Sequence, residues 1–308
     1  MSRIAVVVNP TSGRGRGKPI GERTIGTLRE RGHEVLDLTR PTASEARAVA
    51  RNTVAHGVDA LVVVGGDGIV NLGANVVAQT DVPLGIVASG TGNDIARALG
   101  LPLHDVPRSL DVIERAMTAE PRFIDLVRVG PPEHAAATWF VGVLSCGIDA
   151  AVNARANRMS WPRGPLKYWA AIVPELLRFK PYGYRVTTDD AEWVSSGTLV
   201  AVGSSSRFGG GFQITPHARL DNGVLHVLVA SALSRRGIAQ VLPLVKAGRH
   251  LGHPACQLIE TTAVTIEPDS RLGGLPPHAF ADGEHVGPLP LRAEVHPGIL
   301  RVLAGGGP

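Results

Sequence analysis

Cysteine is almost missing: Cys146 and Cys256 are the only two among 308 residues. Two thiols in no metal-like or redox-like spacing exclude a disulfide scaffold and a cysteine-ligated zinc site. They read as reduced groups of a cytoplasmic protein, with a single disulfide left open. Aromatic residues make up only 4% of the chain and the basic residues are scattered rather than striped, so the stacking platforms and cationic grooves of nucleic-acid binding are lacking. No apolar run reaches membrane-spanning length. Met1-Ser2-Arg3 leads straight into an apolar strand pattern, without the regions expected of a secretory signal. Charge of one sign is also in short supply: 31 Lys and Arg against 27 Asp and Glu leave +4, which suits an anionic lipid surface without demanding one. Repeats and low-complexity segments are absent, and only residues 305–308 look loose.

What is present is an ordinary globular mixture, 44% apolar and 19% charged, in a chain long enough for two domains or one large α/β domain. The first part alternates strand and helix patterns, which builds a parallel sheet covered by helices. Strands are predicted at 4–9, 34–38, 60–64 and 83–88. A glycine- and arginine-rich loop, 10–18, leads into a helix ending near Gly32. Thr42 and Glu45 have capping-box spacing and open a helix that ends before Gly57. Further helices are predicted at 92–99 and 107–119. From about residue 123 the pattern changes to short alternating runs between Gly, Pro and Asp turns, at 139–143, 184–188, 198–202, 225–230 and 263–267. That points to a mostly antiparallel second domain, interrupted by helices at 165–179 and from Ser234 to about His250.

Two strand ends carry phosphate-type loops, Gly65-Gly66-Asp67-Gly68 and Ser89-Gly90-Thr91-Gly92-Asn93-Asp94. Either could be a plain tight turn or a cradle in which backbone amides and a helix N-terminus face an anion. Parallel strands bring neighbouring carboxyl ends together, so two such loops at one sheet edge favour phosphate binding. Asp67 adds a carboxylate there, which makes sense beside phosphates only with a cation such as Mg2+. Asn93 and Asp94 serve equally as helix caps or as ligands. The loop from Asn9 to Lys18 could add hydroxyls and cations. In the second half, Phe208-Gly209-Gly210-Gly211-Phe212 implies a bend or a close backbone approach. Asp221-Asn222-Gly223 reads as a hairpin turn, and Asp282-Gly283-Glu284 supplies the other candidate base.

In this order the motifs resemble the bacterial diacylglycerol kinase and lipid kinase family, related to sphingosine kinases and more remotely to NAD kinases. The resemblance runs from the Asn9-Pro10 loop through both glycine loops and Ala96-Arg97 to Gly209–Gly211, Asp221–Gly223 and Asp282–Glu284, nearly the whole chain. It implies an α/β N-terminal domain with a parallel sheet, residues 1–126 completed by 297–308. It also implies a β-rich, sandwich-like, mostly antiparallel C-terminal domain, residues 127–296, with ATP bound between the two. By the same resemblance Asn9, Thr39, Gly65, Gly66, Gly68, Asn71, Thr91, Asn93 and Asp94 serve the nucleotide, and Asp67 organises the catalytic magnesium. Glu284 is the base on the acceptor hydroxyl. Asn222, with the carbonyls of Arg219 and Val224, matches a structural magnesium site.

The implied reaction is transfer of the ATP γ-phosphate to diacylglycerol or a similar lipid, a step of phospholipid metabolism. A sphingoid or other lipid acceptor uses the same loops, and a catalytically silent binder is the contrasting class. The chain differs from the family pattern at Ile69, Leu72 and Asn222, where threonine, glutamate and aspartate are usual. The implied location is cytoplasmic and peripheral to the inner membrane face, through transient surface contact of the apolar segment 161–169, although the helix 165–179 reads more readily as a core helix. No nucleic-acid partner is expected, and a homodimer stays open.

Overall fold

The computed structural model describes residues 1–133, 137–159, 161 and 165–305, without the side chains of Arg14, Pro165 and Tyr168. Residues 306–308 of the expected loose tail and 162–164 of the apolar segment lie outside the described residues. The chain divides into two compact units, Met1–Leu126 with Pro297–Pro308, and Val127–His296.

In the first unit, strands β1 (Arg3–Val8), β2 (Glu34–Asp37), β3 (Ala60–Gly65) and β4 (Leu84–Ala88) alternate with helices α1 (Ser12–Gly15), α2 (Gly17–Glu30), α3 (Ala43–Ala55), α4 (Asp67–Val77), α5 (Asp94–Ala98) and α6 (Val106–Thr118). The sheet order is β2-β1-β3-β4, every pair parallel. β1, β3 and β4 are almost unbroken apolar runs because helices cover both faces. The core joins Ile4, Val6, Val62 and Val64 to Leu28 of α2, to Leu110 and Ile113 of α6, and to Leu303 from the far end of the chain. Thr42 caps α3 as its spacing predicts, its Oγ1 accepting from the Glu45 N–H at 3.2 Å.

Two expectations are corrected here. Residues 10–18 are largely helical, forming α1 and the start of α2, because backbone bonds from Ser12 to Asn9 and from Lys18 to Pro10 close turns that a glycine-rich composition conceals. The helix expected at 92–99 begins only at Asp94, since Asn93 is left-handed at φ 56°.

The second unit contains the rest of β5 (Arg122–Gly130), then β6 (Thr138–Phe140), β7 (Val143–Gly147), β8 (Tyr182–Thr188), β9 (Glu192–Gly203), β10 (Leu225–Ser231), β11 (Cys256–Thr261), β12 (Ala263–Pro268), β13 (Ala279–Ala281), β14 (Glu284–Gly287) and the start of β15 (Leu291–Val302). Its helices are α7 (Ile148–Arg158), α8 (Pro165–Arg178) and α9 (Arg235–Lys246). Pairing is antiparallel among β14, β13, β7, β9, β8, β12 and β15, with β10 on β9 and β11 on β10. The long β9 pairs β8 with its first half and β7 and β10 with its second. Alternate residues of these strands, among them Leu144, Cys146, Val200, Val202, Val227 and Val264, interleave in one buried core. The single run expected at 139–143 is two strands broken at Val141-Gly142, and the helix from Ser234 stops at Lys246, followed by Gly248 at φ 68°.

Candidate functional site

The two glycine loops of the first unit meet backbone to backbone. Ser89 and Gly90 donate their N–H groups to the Gly65 carbonyl at 2.8 and 3.1 Å. A Cβ on Gly66 would lie 3.2 Å from the Gly90 Cα, and one on Gly90 would collide with Gly66. The immediate reason for these two glycines is therefore the packing of one loop on the other. The α1 segment joins them, with Ser12 Oγ 3.1 Å from Ser89 Oγ.

Asp67 begins α4, and its Oδ1 accepts from the Ile95 N–H at 3.1 Å, so one carboxylate ties the first turns of α4 and α5 together. Asn93 is buried; its Nδ2 donates to the Gly90 carbonyl at 2.9 Å while its Oδ1 is buried without a partner among the described residues. Asn93 thus braces the second loop and does not cap α5. This acceptor oxygen faces Gly66, where a Cβ would lie 3.8 Å from it, next in sequence to Asp67; such an oxygen suits a cation or its bound water, and magnesium is held by one or two carboxylates together with the phosphates it accompanies. The residues here fit a magnesium-nucleotide.

The other expected nucleotide residues take varied places. Asn9 Oδ1 accepts from Thr11 N–H and Oγ1 at 3.1 and 2.9 Å, shaping the entrance to α1. Thr39 Oγ1 accepts from the Val8 N–H at 3.2 Å at the end of β1. Asn71 is buried in α4, its Oδ1 accepting from Asn75 Nδ2 at 3.2 Å. Asp94 is buried and Thr91 exposed. Ile69 and Leu72 are both buried, Ile69 so tightly that a Cβ on Gly65 would lie 2.7 Å from its Cγ2.

In the second unit, Glu284 is exposed at the start of β14, on a turn whose Asp282 and Gly283 have φ 50° and 85°. Asp282 Oδ2 accepts from the Val141 N–H at 2.8 Å, and Oδ1 from those of Gly142 and Val143 at 2.8 and 3.1 Å. A Cβ on Gly142 would lie 2.7 Å from that Oδ1. Asn157, near the end of α7, donates to the Gly283 carbonyl at 3.1 Å. The two acids read from sequence as a pair are thus different in kind: Asp282 fastens the turn and Glu284 is presented by it.

The expected hairpin turn at Asp221-Asn222-Gly223 is instead the end of the irregular segment 204–224 that joins β9 to β10; there Asn222 Oδ1 accepts from the Val224 N–H at 3.3 Å, and Arg219 Nε lies 3.4 Å from Asp221 Oδ1. The amide oxygen is occupied in the turn, and a neutral oxygen binds a hard cation less well than a carboxylate. The glycine segment 209–211 is a bend with three positive φ values; Cβ atoms on Gly210 and Gly211 would meet nothing, so no close approach explains it.

Sequence reading missed two acids. Asp125 is buried in β5 and its Oδ1 accepts from the Gly298 N–H at 2.9 Å, fastening the returning chain within the first unit. A charge inside the apolar run Phe123-Ile124-Asp125-Leu126 was the signal for it. Asp149, in the first turn of α7, is pushed up to about 6 by burial. An acid at a helix start reads as routine, so nothing in the sequence marked it.

Residues 3–129 match the family model of the diacylglycerol kinase catalytic domain, and residues 142–304 match that of the YegS C-terminal NAD kinase beta sandwich-like domain. A diacylglycerol kinase of Mycobacterium tuberculosis is 34% identical over 304 residues, 98% of this chain and 95% of that protein. One from Staphylococcus saprophyticus is 25% identical over 294 residues, 94% of this chain and 90% of that protein. A crystal structure of a diacylglycerol kinase from Bacillus anthracis aligns with a TM-score of 0.69 and 18% identity, covering 98% of this chain and 97% of that one, which shows a shared two-part fold.

Proposed function

Because the chain belongs to the diacylglycerol kinase family and is therefore a lipid kinase, we propose that it transfers the γ-phosphate of magnesium-ATP to a free hydroxyl of diacylglycerol or a closely similar lipid. The observation that carries the nucleotide half of this reading is the junction of the two glycine loops, where Asp67 and the leftover Asn93 oxygen stand at the start of α4. Helix N-termini attract phosphate, and an acid beside them calls for a cation. Magnesium, when bound, would neutralise charge building on the transferred group.

The chain's own residues have three tasks. Asp67 and Asn93 hold the cation side of the nucleotide, and the α4 N-terminus favours its anionic side. Glu284 orients the acceptor hydroxyl and takes its proton as the new bond forms, so it need be basic only late in the transfer. Asp282 and Asn157 hold the turn that presents Glu284. Ile69 and Leu72 belong to the α4 core, so their departure from the family pattern is no argument for a silent binder. A bilayer acceptor places the enzyme at the inner face of the membrane, bound peripherally; among the described residues no helix is long and apolar enough to cross it.

The test is incubation of the purified protein with magnesium-ATP and a panel of diacylglycerols, sphingoid bases and polyol lipids, followed by detection of labelled lipid phosphate. Labelled phosphatidate is the expected product. ATP binding with no labelled lipid from any acceptor would overturn the proposal.

A further inference from the structure

Two histidines meet at the surface of the second unit. His278 Nδ1 lies 2.9 Å from His285 Nε2, with ring centroids 5.1 Å apart, and both residues are exposed. His285, on β14, stands opposite Phe280 of β13, and His278 comes two residues before Phe280. Strand alternation therefore brings all three side chains to one face of the hairpin. The Phe280 ring stands edge-on to His285, centroids 5.5 Å apart.

The backbone beneath the pair is held. β13 pairs with β7, the Asp282 carboxylate fastens the turn between the strands, and Pro276-Pro277 stiffens the chain that runs into His278. The hydrogen bond between the rings contributes little to the fold, because exposed imidazoles bond equally well to water. Unprotonated imidazole is the commonest metal ligand, and two of them set side by side on fixed strands have little ordering left to lose when an ion binds.

The separation selects the ion. Metal–nitrogen bonds of about 2.0–2.1 Å meeting at a right angle put the nitrogens about 2.9 Å apart, whereas a tetrahedral angle spreads them to about 3.3–3.4 Å. The observed distance suits neighbouring corners of a tetragonal site, the preference of Cu2+ and Ni2+ rather than Zn2+; Mg2+, which takes oxygen ligands, would not compete. Both rings are at the surface and able to turn about χ2 until their lone pairs converge on one ion, with His278 protonated on Nε2 and His285 on Nδ1. Among the described residues no third His, Cys, Asp or Glu completes a metal-binding group, so water would fill the remaining corners and the ion would exchange readily.

We propose that His278 and His285 form a surface site for a Cu2+ or Ni2+ ion, which clasps the approach to β13 against β14. The site does not depend on the lipid-kinase reading, although the hairpin it closes is the one that presents Glu284.

Calorimetric titration of the untagged full chain with Ni2+, in a buffer that does not bind metals, tests this. The wild type should bind one ion at this site, and His278→Ala and His285→Ala should each weaken that binding about tenfold or more. His217→Ala, which removes another exposed histidine, should bind as the wild type does. The paired histidines are exposed, so without metal both variants should melt like the wild type. A hundredfold excess of Ni2+ over its dissociation constant should raise the melting temperature of the wild type by about 5 °C and leave both variants where they were. Cu2+ in place of Ni2+ should give a tetragonal electron paramagnetic resonance spectrum split by two imidazole nitrogens, lost in either variant.

Ni2+ binding that both variants retain in full overturns the proposal, as does a wild type that binds none. Zn2+ held tenfold more tightly than Ni2+ overturns the right-angle geometry. Ni2+ bound through the pair with no lipid phosphorylated leaves the site standing and removes the lipid-kinase reading; phosphorylated lipid with no Ni2+ bound does the reverse.

Discussion

Both oxygens of the Asp282 carboxylate are committed to main-chain donors at the break between β6 and β7. Asp282→Ala would leave those amides without their acceptor, and a cost of about 2–3 kcal/mol is expected in denaturant unfolding. Steady-state kinetics should show kcat falling while the KM for ATP holds, because the residue acts through Glu284. Glu284→Gln, by contrast, should leave stability intact and lower kcat by about a hundredfold or more. Ile69→Thr, which restores the family residue, puts a hydroxyl into a packed site and should cost about 1–2 kcal/mol; a melting curve measures it. Asp149 supplies the pH dependence. Its carboxyl is raised from 3.8 to about 6 by burial, so the folded state holds the proton more tightly, and stability drops as pH rises through that window. Asp149→Asn should therefore stabilise at pH 7.5 by something on the order of 2 kcal/mol, a gain that fades as pH is lowered toward 4. At this scale sequence identified which acids sit in turns. The residue pattern offered Asp282 and Glu284 together as candidate bases and the resemblance singled out Glu284, but neither revealed Asp282 as a clamp, because that depends on where Val141–Val143 lie, some 140 positions away.

Strands β1, β3 and β4 were legible because burial on both faces demands long Val, Ile and Leu runs, and α3 because Thr42 and Glu45 are complete in themselves. α1 was not, since its glycines read as loop while neighbouring backbone bonds make it helical. The break at Val141-Gly142 was equally hidden, being held by Asp282 from the turn between β13 and β14. The glycine loops gave their position but not their partner. Gly90→Ala should drive the two loops apart, at a cost of about 2–3 kcal/mol for forced repacking. It should also abolish the thermal stabilisation given by magnesium-ATP, read by differential scanning fluorimetry with and without nucleotide. That α8 leaves Leu166, Trp169, Val173 and Leu177 exposed was undecided on periodicity alone, because an apolar residue in a helix pattern carries no mark of which side the fold leaves open.

The first unit is discontinuous: Leu300, Val302, Leu303 and Ala304 are buried in it, Val302 lies parallel to Leu84, and the Leu303 N–H bonds to the Leu84 carbonyl at 2.9 Å. A chain stopped after His296 would bare the outer edge of β4 and the apolar surface covered by Leu303. It should lose the cooperative unfolding transition of the first unit, measured by calorimetry beside the full chain, and should fail to bind ATP. The two cysteines give a whole-molecule probe. Both are free; Cys146 is fully buried in β7, with burial and Asp149 holding its thiol well up, and Cys256 is partly exposed. Ellman titration should find Cys256 slowly reactive in the native state and Cys146 only after unfolding. The return of the chain to its first unit also bears on synthesis. On the ribosome residues 1–126 are made first, yet their sheet stays open at β4 until the whole of 127–296 has been translated. The second unit, by contrast, is contiguous, from Val127 to His296. A nascent chain would therefore complete its second unit before its first, and until then the edge of β4 is the place where a chaperone, or a neighbouring chain on the same message, could pair with it.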